Sequence, residues 1–346
     1  MNFEDRIKAL VKLGDHLLNG DDEYLAALQE RTKYNNAWFT IENQQQSISA
    51  IANAFLDKDK LNNWLVPYNG YFEVNAATKG FVQKTVGLVL AGNIPLVGFH
   101  DILCVFICGH KAMIKLSDKD SFVLPYLLQL LKKIDPRTES YFEVVSKLAD
   151  FDAVIATGSN NSARYFESYF EKYPHIIRRN RNGVAVLTGE ETPEDLLKLG
   201  EDIFQYFGLG CRNVAKLYLP KGYSFDPLLE ALHEWRHLQN HSKYKNNFDY
   251  NYAILTLNKE PFYSNGSIIV REDEGMLSHI AGLYYEYYDD LEKVEETLIL
   301  RSEEIQLIVA LPHTLRLETK NFGEAQQPEL SDYADGVDTV AFLLSL

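Results

Sequence analysis

Apolar positions divide the chain into a helical first part and a later part in which short and long apolar segments alternate. Up to about residue 60, residues such as Ile7, Leu10 and Leu17 keep helical spacing, which predicts amphipathic helices. From Val86, short β-rich runs alternate with longer amphipathic ones. The predicted elements are strand 86–91, helix 97–108, strand 112–116, helix 121–134, strand 152–156, helix 160–171, strand 184–187, helix 193–206 and strand 214–219. This alternation predicts an α/β fold with a mostly parallel sheet covered by helices on both faces.

The 346 residues suffice for two domains. From about 220 to 312 the alternation continues with more tyrosine and less regularity, which predicts a second α/β lobe. We therefore assign 1–195 to N-terminal helices plus a first lobe and 196–315 to a second lobe that carries Cys211. The tail, 316–346, is expected to return to the first lobe or to an interface.

Composition narrows the classes of partner. The chain is 46% hydrophobic and 24% charged, with a net charge of −15, which disfavours nucleic acid and anionic membranes as ligands. The basic run 178–181 is long enough to meet a single anionic group. The N-terminus lacks the pattern of a secretory signal, and polar residues interrupt the most apolar window, 86–108. We expect a soluble, cytoplasmic protein without a membrane span.

Metal and disulfide chemistry are not expected. Three cysteines do not form a disulfide framework in a chain of this length. Cys104 and Cys108 stand four apart in an apolar segment without a second pair of metal ligands, which favours buried packing. His233, His237 and His241 are also four apart, but no carboxylate interleaves at ligand spacing, so a surface helix is the better interpretation.

Cys211, in Gly208-Leu209-Gly210-Cys211-Arg212-Asn213, is the strongest candidate for chemistry. Neighbouring glycines let the backbone bend and let another molecule approach the thiol. A helix terminus or a cation nearby would increase the thiolate fraction, and the thiolate is the nucleophile. The alternative is a small buried hydrophobe, which free cysteine often is.

Three further candidates follow predicted strands, at the sheet edge where α/β folds bind ligands. Asn93 can cap the next helix or donate to an oxyanion, with Pro95 suited to a first helical position. Lys115 ends a strand, where it can reach a nucleotide or remain a solvated charge. In Thr157-Gly158-Ser159, the turn can present N–H groups to a phosphate, or Ser159 can serve only as a helix cap. No G-x-G-x-x-G motif is present.

In their order along the chain, these motifs resemble the aldehyde dehydrogenase superfamily, and within it the acyl-CoA reductases, the family of the fatty acyl reductase subunit of bacterial bioluminescence. The resemblance runs from about residue 80 to the C-terminus. The segments that carry it are Gly92-Asn93-Ile94-Pro95, 113–117 around Lys115, Thr157-Gly158-Ser159, 178–187, Gly210-Cys211, 243–251, 322–326 and 332–336.

The resemblance implies an aldehyde dehydrogenase-like fold with two lobes, each built on a mostly parallel sheet, and an atypical Rossmann lobe for the cofactor. It implies that Lys115, Thr157, Gly158 and Ser159 bind the cofactor, NADPH. Cys211 would be the nucleophile, and Asn93 with the Cys211 backbone N–H would form the oxyanion hole. The activity implied is reduction of an acyl-CoA or acyl-protein thioester to an aldehyde, in fatty acid metabolism. A homo-oligomer or an acyl-transfer partner protein is expected.

Two departures from the superfamily bear on the reaction. Where hydrolytic members carry a Glu-Leu-Gly-Gly box with a water-activating glutamate, this chain has Asn182-Gly183-Val184-Ala185-Val186-Leu187. The glutamate of the downstream Glu-x-Phe-Gly-Pro box also has no clear counterpart, and 278–282 stands nearest. Losing the base suits an acyl-enzyme that is reduced and not hydrolysed. The alternatives are an aldehyde dehydrogenase working in the oxidative direction, a nucleotide-independent cysteine acyltransferase or thioesterase, and a catalytically silent partner in an acyl-transfer complex.

Overall fold

A computed structural model describes residues 1–72 and 81–346, which divide into two compact units. Unit 1 comprises 1–179 and 328–346, and unit 2 comprises 180–327. Unit 2 starts before the 195/196 boundary suggested by the sequence, because the strand at 182–186 pairs with strands of unit 2. The last 19 residues, 328–346, belong to unit 1.

Unit 1 begins with helices, as the apolar spacing predicts. They are α1 (Phe3–Leu18), α2 (Glu23–Asn35), α3 (Ile41–Ala50), continued by a π-helical turn at Ile51–Phe55, and α4 (Lys58–Leu65). Side chains of Asn2, Asp22, Thr40 and Asp57 accept hydrogen bonds from backbone N–H groups in the first turns, which explains where each helix begins. Leu10, Leu13 and Leu61 are completely buried against the body of the unit.

The body of unit 1 is a five-stranded sheet with the strand order β3-β2-β1-β4-β5. All its neighbouring strands are parallel. The strands are β1 (Thr85–Val89), β2 (Lys111–Lys115), β3 (Phe142–Val144), β4 (Ala153–Thr157) and β5 (His175–Arg178). The helices of this part are α5 (Phe99–Cys108), α6 (Val123–Ile134), α7 (Asn160–Phe170) and the C-terminal α12 (Thr339–Leu344).

Unit 2 contains a six-stranded sheet with the order β11-β6-β7-β10-β9-β8, parallel except for the β8–β9 pair. Its strands are β6 (Asn182–Val186), β7 (Val214–Pro220), β8 (Tyr263–Ser264), β9 (Ile269–Glu272), β10 (Gly282–Tyr288) and β11 (Ile305–Ala310). Its helices are α8 (Pro193–Phe204), α9 (Phe225–Leu232), α10 (Ser242–Asn258) and α11 (Leu291–Leu300). Two mostly parallel sheets flanked by helices confirm the predicted fold class.

Each arginine of the basic run 178–181 has a protein partner. Arg178 is buried, and its guanidinium pairs with buried Asp101 at 2.5 Å and donates to Thr339 Oγ1 at 3.0 Å. This pairing ties β5 to α5 and α12. Arg179 pairs with Glu167. Arg181 donates to the backbone carbonyls of Ser302 and Ile305. Buried Arg178 therefore has a structural role.

Candidate active site

The turns that contain Asn93, Lys115 and Thr157 lie at one edge of the unit 1 sheet. Strands β2, β1 and β4 are adjacent and parallel, and Val89 is in register with both Lys115 and Ala156. The carboxyl ends of these strands therefore coincide, and this edge is where α/β sheets bind nucleotides. The structure thus brings the predicted cofactor residues and Asn93 to one edge of the unit, while their roles stay predictions.

Asn93 is not the cap of the following helix, which corrects one of the two interpretations of this residue. The helix begins at Phe99, its N-cap is Gly98, and no side chain makes a capping bond there. The chain turns sharply instead at Leu96, whose φ is 58°, and the helix starts later than Pro95. Asn93 sits in the turn between strand and helix, and oxyanion donation stays a prediction for it.

This turn is held by contacts with the segment that follows β2. Gly92 packs directly on Ser117, since a Cβ at Gly92 would lie 2.3 Å from the Ser117 Oγ. The Leu96 N–H donates to the buried Asp120 carboxylate at 2.7 Å, and burial raises the pKa of Asp120 to about 6. A larger residue at position 92 would therefore push the turn after β1 away from the segment that follows β2.

Lys115 and the 157–159 turn complete this edge. Lys115 is the exposed last residue of β2. Ser159 is the N-cap of α7, and its hydroxyl accepts the Ser162 N–H at 3.3 Å. The hydroxyl thus performs the capping role, and the backbone N–H groups of the first turn of α7 are the candidates for phosphate binding. Gly158 is tightly packed, because a Cβ there would lie 2.8 Å from the Ser162 Cβ.

Cys211 lies in unit 2, in the connection between α8 and β7. The chain leaves α8 through a short 3-10 segment, Gln205–Gly208, in which Tyr206, Phe207 and Gly208 have φ values of 53°, 59° and 73°. Left-handed conformations of non-glycine residues cost about 1–3 kcal/mol each and concentrate at functional sites. Tyr206 and Phe207 are both buried, and the packing of their rings keeps this strained turn in place.

Asn213 anchors the connection between α8 and β7, residues 205–213, which we call the cysteine loop. Sequence reasoning did not single out this residue. Its side chain is 2% exposed. Its Oδ1 accepts the Gly210 N–H at 2.8 Å. Its Nδ2 donates to the backbone carbonyls at the end of α8, those of Asp202 at 2.9 Å, Ile203 at 3.3 Å and Gln205 at 3.0 Å. One side chain therefore caps the helix and sets the backbone immediately before Cys211.

Two glycines allow this close packing. A Cβ at Gly210 would lie 2.9 Å from the Asn213 Oδ1, so a side chain there would displace the amide that holds the loop. Gly183 of β6 lies beneath the loop, and a Cβ there would be 2.8 Å from the Arg212 carbonyl oxygen. The Gly183 N–H also donates to the Asn213 carbonyl at 2.8 Å.

The three cysteines differ in accessibility. Cys104 and Cys108 are buried in α5, and burial raises the pKa of both thiols well above the ordinary value. Cys211 is partly exposed. Because the thiolate is the reactive form, only Cys211 has a position that suits a nucleophile.

The described residues provide no group of three or more His, Cys, Asp or Glu side chains that could hold a metal ion. The histidine run also differs from the expected helix. Residues His233–Asn240 are a 3-10 helix, and His241 is the N-cap of α10. Within the described ranges, no helix is both long and apolar enough to cross a membrane.

The fold matches many solved structures. The chain superimposes on an indole-3-acetaldehyde dehydrogenase mutant of P. syringae, solved with NAD+ and IAA, with a TM-score of 0.65, 13% identity, and coverage of 91% of this chain and 73% of the other. It also matches aldehyde dehydrogenase 21 of Physcomitrella patens, in complex with succinate, with a TM-score of 0.63, 12% identity, and coverage of 100% and 84%.

The fold is that of the aldehyde dehydrogenases. The NAD+ complex of an aldehyde dehydrogenase of bacillus cereus agrees, with a TM-score of 0.61, 13% identity, and coverage of 93% and 76%. No protein-family model and no curated protein matches the chain. The structural likeness confirms the superfamily fold expected from the motifs, whereas membership of the acyl-CoA reductases stays a prediction.

Proposed function

We propose that this chain reduces an acyl thioester, acyl-CoA or acyl-protein, to an aldehyde with NADPH through an acyl group held on Cys211. The observation that carries the proposal is the state of Cys211, a partly exposed thiol on a strained and firmly held turn, whereas the other two thiols are buried. The aldehyde dehydrogenase fold, with neighbours solved as NAD+ complexes, supports oxidoreductase chemistry with a nicotinamide nucleotide. The resemblance of the motifs supports the thioester substrate and NADPH.

The sheet edge of unit 1 fits a dinucleotide. Lys115 offers an exposed cation, and the first turn of α7 offers backbone N–H groups with the positive end of the helix dipole. The absence of a side chain at Gly158 keeps this turn compact and its backbone accessible to phosphate. When bound at this edge, the nucleotide supplies the hydride for the reduction.

The residues of the chain perform the acyl transfer. The Cys211 thiolate attacks the carbonyl carbon of the substrate thioester, and the bond from that carbon to the CoA sulfur breaks as CoA leaves as a thiolate. As the resemblance implies, Asn93 and the Cys211 backbone N–H donate to the oxyanion that forms on the carbonyl oxygen before CoA leaves. After reduction at the same carbon, its bond to the Cys211 sulfur breaks, which frees the aldehyde and returns the thiolate.

The segment beneath the cysteine loop supports reduction over hydrolysis. Residues 182–187 contain no carboxylate, although hydrolytic relatives carry their water-activating glutamate in the corresponding box. Gly183 leaves no space for a side chain, because a Cβ there would collide with the Arg212 carbonyl. Without a base at this place, water is a poor competitor for the acyl group.

The test is acyl-CoA-dependent oxidation of NADPH by the wild type and by Cys211→Ala. We expect the variant to lose at least about a thousandfold in kcat, because removing a nucleophile abolishes the covalent route. Cys104→Ala, which changes a buried thiol outside the site, should keep kcat within about twofold. Activity retained by Cys211→Ala would contradict the proposal.

The solved neighbours favour a second candidate, since they are aldehyde dehydrogenases and several are NAD+ complexes. An enzyme of that kind oxidises an aldehyde without CoA, whereas the proposed reductase running backwards needs CoA as acyl acceptor. Aldehyde oxidation measured with and without CoA therefore separates the two. A nucleotide-independent acyltransferase or thioesterase would show no rise in melting temperature with NADP(H), while a nucleotide-binding enzyme would.

A further inference from the structure

The segment 321–327 packs against the cysteine loop and the end of α8. The Asp202 carboxylate of α8 accepts the N–H groups of Gly323 at 2.8 Å and of Ala325 at 2.9 Å. The Arg212 Nε, one residue after the cysteine, donates to the Ala325 carbonyl at 2.5 Å. The segment is therefore held from both sides of the cysteine loop, and Gln326 follows directly after these contacts.

The Gln326 side chain lies alongside Gly210, the residue before Cys211. A Cβ placed on Gly210 would be 3.6 Å from the Gln326 Oε1 and 3.7 Å from its Nε2. Gln326 is 8% exposed, and among the described residues its Nε2 has no hydrogen-bond partner. A buried amide with an unused N–H thus lies beside the residue that precedes Cys211.

An unpaired buried donor is costly. Leaving such a group without an acceptor destabilises the fold, and an apolar side chain of similar shape would avoid that penalty. The cost is recovered when an acceptor reaches the amide. The substrate class proposed above brings one to this place, the carbonyl oxygen of its acyl group.

We propose that Gln326 donates a hydrogen bond from its side-chain amide to the carbonyl oxygen of the acyl group that Cys211 receives. The inference rests on the proposed thioester chemistry and adds to it a donor from unit 2 that the motif resemblance does not assign. Because a donor to the reacting oxygen gains strength as negative charge develops there, its removal slows acylation of the thiol more than it weakens binding of acyl-CoA.

The test compares Gln326→Met with Gln327→Met in the full-length protein. Methionine has nearly the shape of glutamine and lacks its donor. Gln327 is the matched control, since it is the neighbouring residue, is exposed, and donates to the Gly323 carbonyl at 3.0 Å. The rate of CoA release from acyl-CoA without NADPH measures acylation, and mass spectrometry of the Cys211 peptide identifies the product. Alkylation of Cys211 by iodoacetamide and the melting temperature report whether the loop is intact.

We expect Gln326→Met to slow acylation about tenfold to a hundredfold, with the iodoacetamide rate unchanged within twofold and the melting temperature equal to or above that of the wild type. Gln327→Met should acylate like the wild type. Acylation unaffected by Gln326→Met would overturn the inference alone. A fall in melting temperature with an equal fall in both rates would also overturn it, because that pattern indicates a structural role. A wild-type Cys211 that acyl-CoA does not acylate would overturn the proposed function together with the inference.

Discussion

The sheet edge of unit 1 and the cysteine loop of unit 2 keep their conformations by different means. The edge turns follow regular strands, and α7 begins with an ordinary serine cap. The cysteine loop instead contains consecutive left-handed residues and depends on one buried amide that makes four hydrogen bonds. The sheet edge is thus built from regular elements, whereas the loop that carries Cys211 adopts a conformation that is unfavourable by itself and is imposed by its surroundings.

The substitution with the largest expected effect on this difference between the two regions is Asn213→Ala. Each hydrogen bond contributes about 1 kcal/mol, so we expect the free energy of unfolding to fall by about 3–4 kcal/mol. We also expect kcat to fall about a hundredfold, because a small displacement of the thiol costs that much. Urea unfolding and steady-state kinetics measure the two effects. Asn258→Ala is the control. It removes an exposed side-chain amide that makes one hydrogen bond, and it should change the free energy of unfolding by less than about 0.5 kcal/mol. A kcat unchanged in Asn213→Ala would show that the loop does not depend on this anchor.

Asp202 makes the stability of unit 2 depend on pH. Burial raises the pKa of Asp202 to about 7, although its two backbone N–H partners act in the opposite direction. Because the folded pKa is above the unfolded one, the contribution is fully present below about pH 4 and is lost as pH rises through about 7. The stability of the wild type relative to Asp202→Asn should therefore fall by on the order of 4 kcal/mol across this window.

Denaturant titrations at several pH values measure this difference. Asp195 provides a control of opposite sign, because hydrogen bonds from Thr192 lower the pKa of its carboxyl. Its contribution is present above about pH 4 and is lost at lower pH. If the difference in free energy of unfolding between the wild type and Asp202→Asn stays constant from pH 4 to 8, the raised pKa of Asp202 is contradicted.

The smallest expected effect comes from Ser159→Ala in unit 1. Loss of an N-cap side chain costs about 1 kcal/mol of stability. Because the hydroxyl caps the helix and the proposed phosphate donors are backbone groups, we expect KM for NADPH to rise only a few-fold and kcat to stay within twofold. Melting curves and nucleotide titrations check this. A fall in kcat as large as that of Asn213→Ala would remove the distinction between the two regions.

Regular elements could be predicted from the sequence because their apolar spacing is local. The predicted strand at 112–116 and helix at 121–134, for example, correspond to β2 and α6 with small shifts at their ends. The edge strands β3 and β5 were missed, since short strands at the border of a sheet have little apolar pattern of their own.

Side-chain roles that depend on distant partners could not be predicted. The interpretation of Asn93 as a helix cap was wrong, because the chain makes an additional turn at Leu96 before the helix begins. The run 178–181 was interpreted as long enough to meet an anionic group, but Arg178 in it pairs with Asp101, 77 positions earlier in the sequence. The hydrogen bonds of Asn213 and the buried position of Gln326 likewise become visible only after folding, and the position of Asn213 two residues after the cysteine was its only signal.

Because the three thiols are unequally buried, their reactivity toward a thiol reagent can report the unfolding of the protein. In the native chain a thiol reagent should count one reactive cysteine, and in the denatured chain three. Cys104 and Cys108 belong to unit 1 and Cys211 to unit 2. The order in which the additional thiols become reactive during gradual denaturation therefore reports when unit 1 opens, without any added label or mutation.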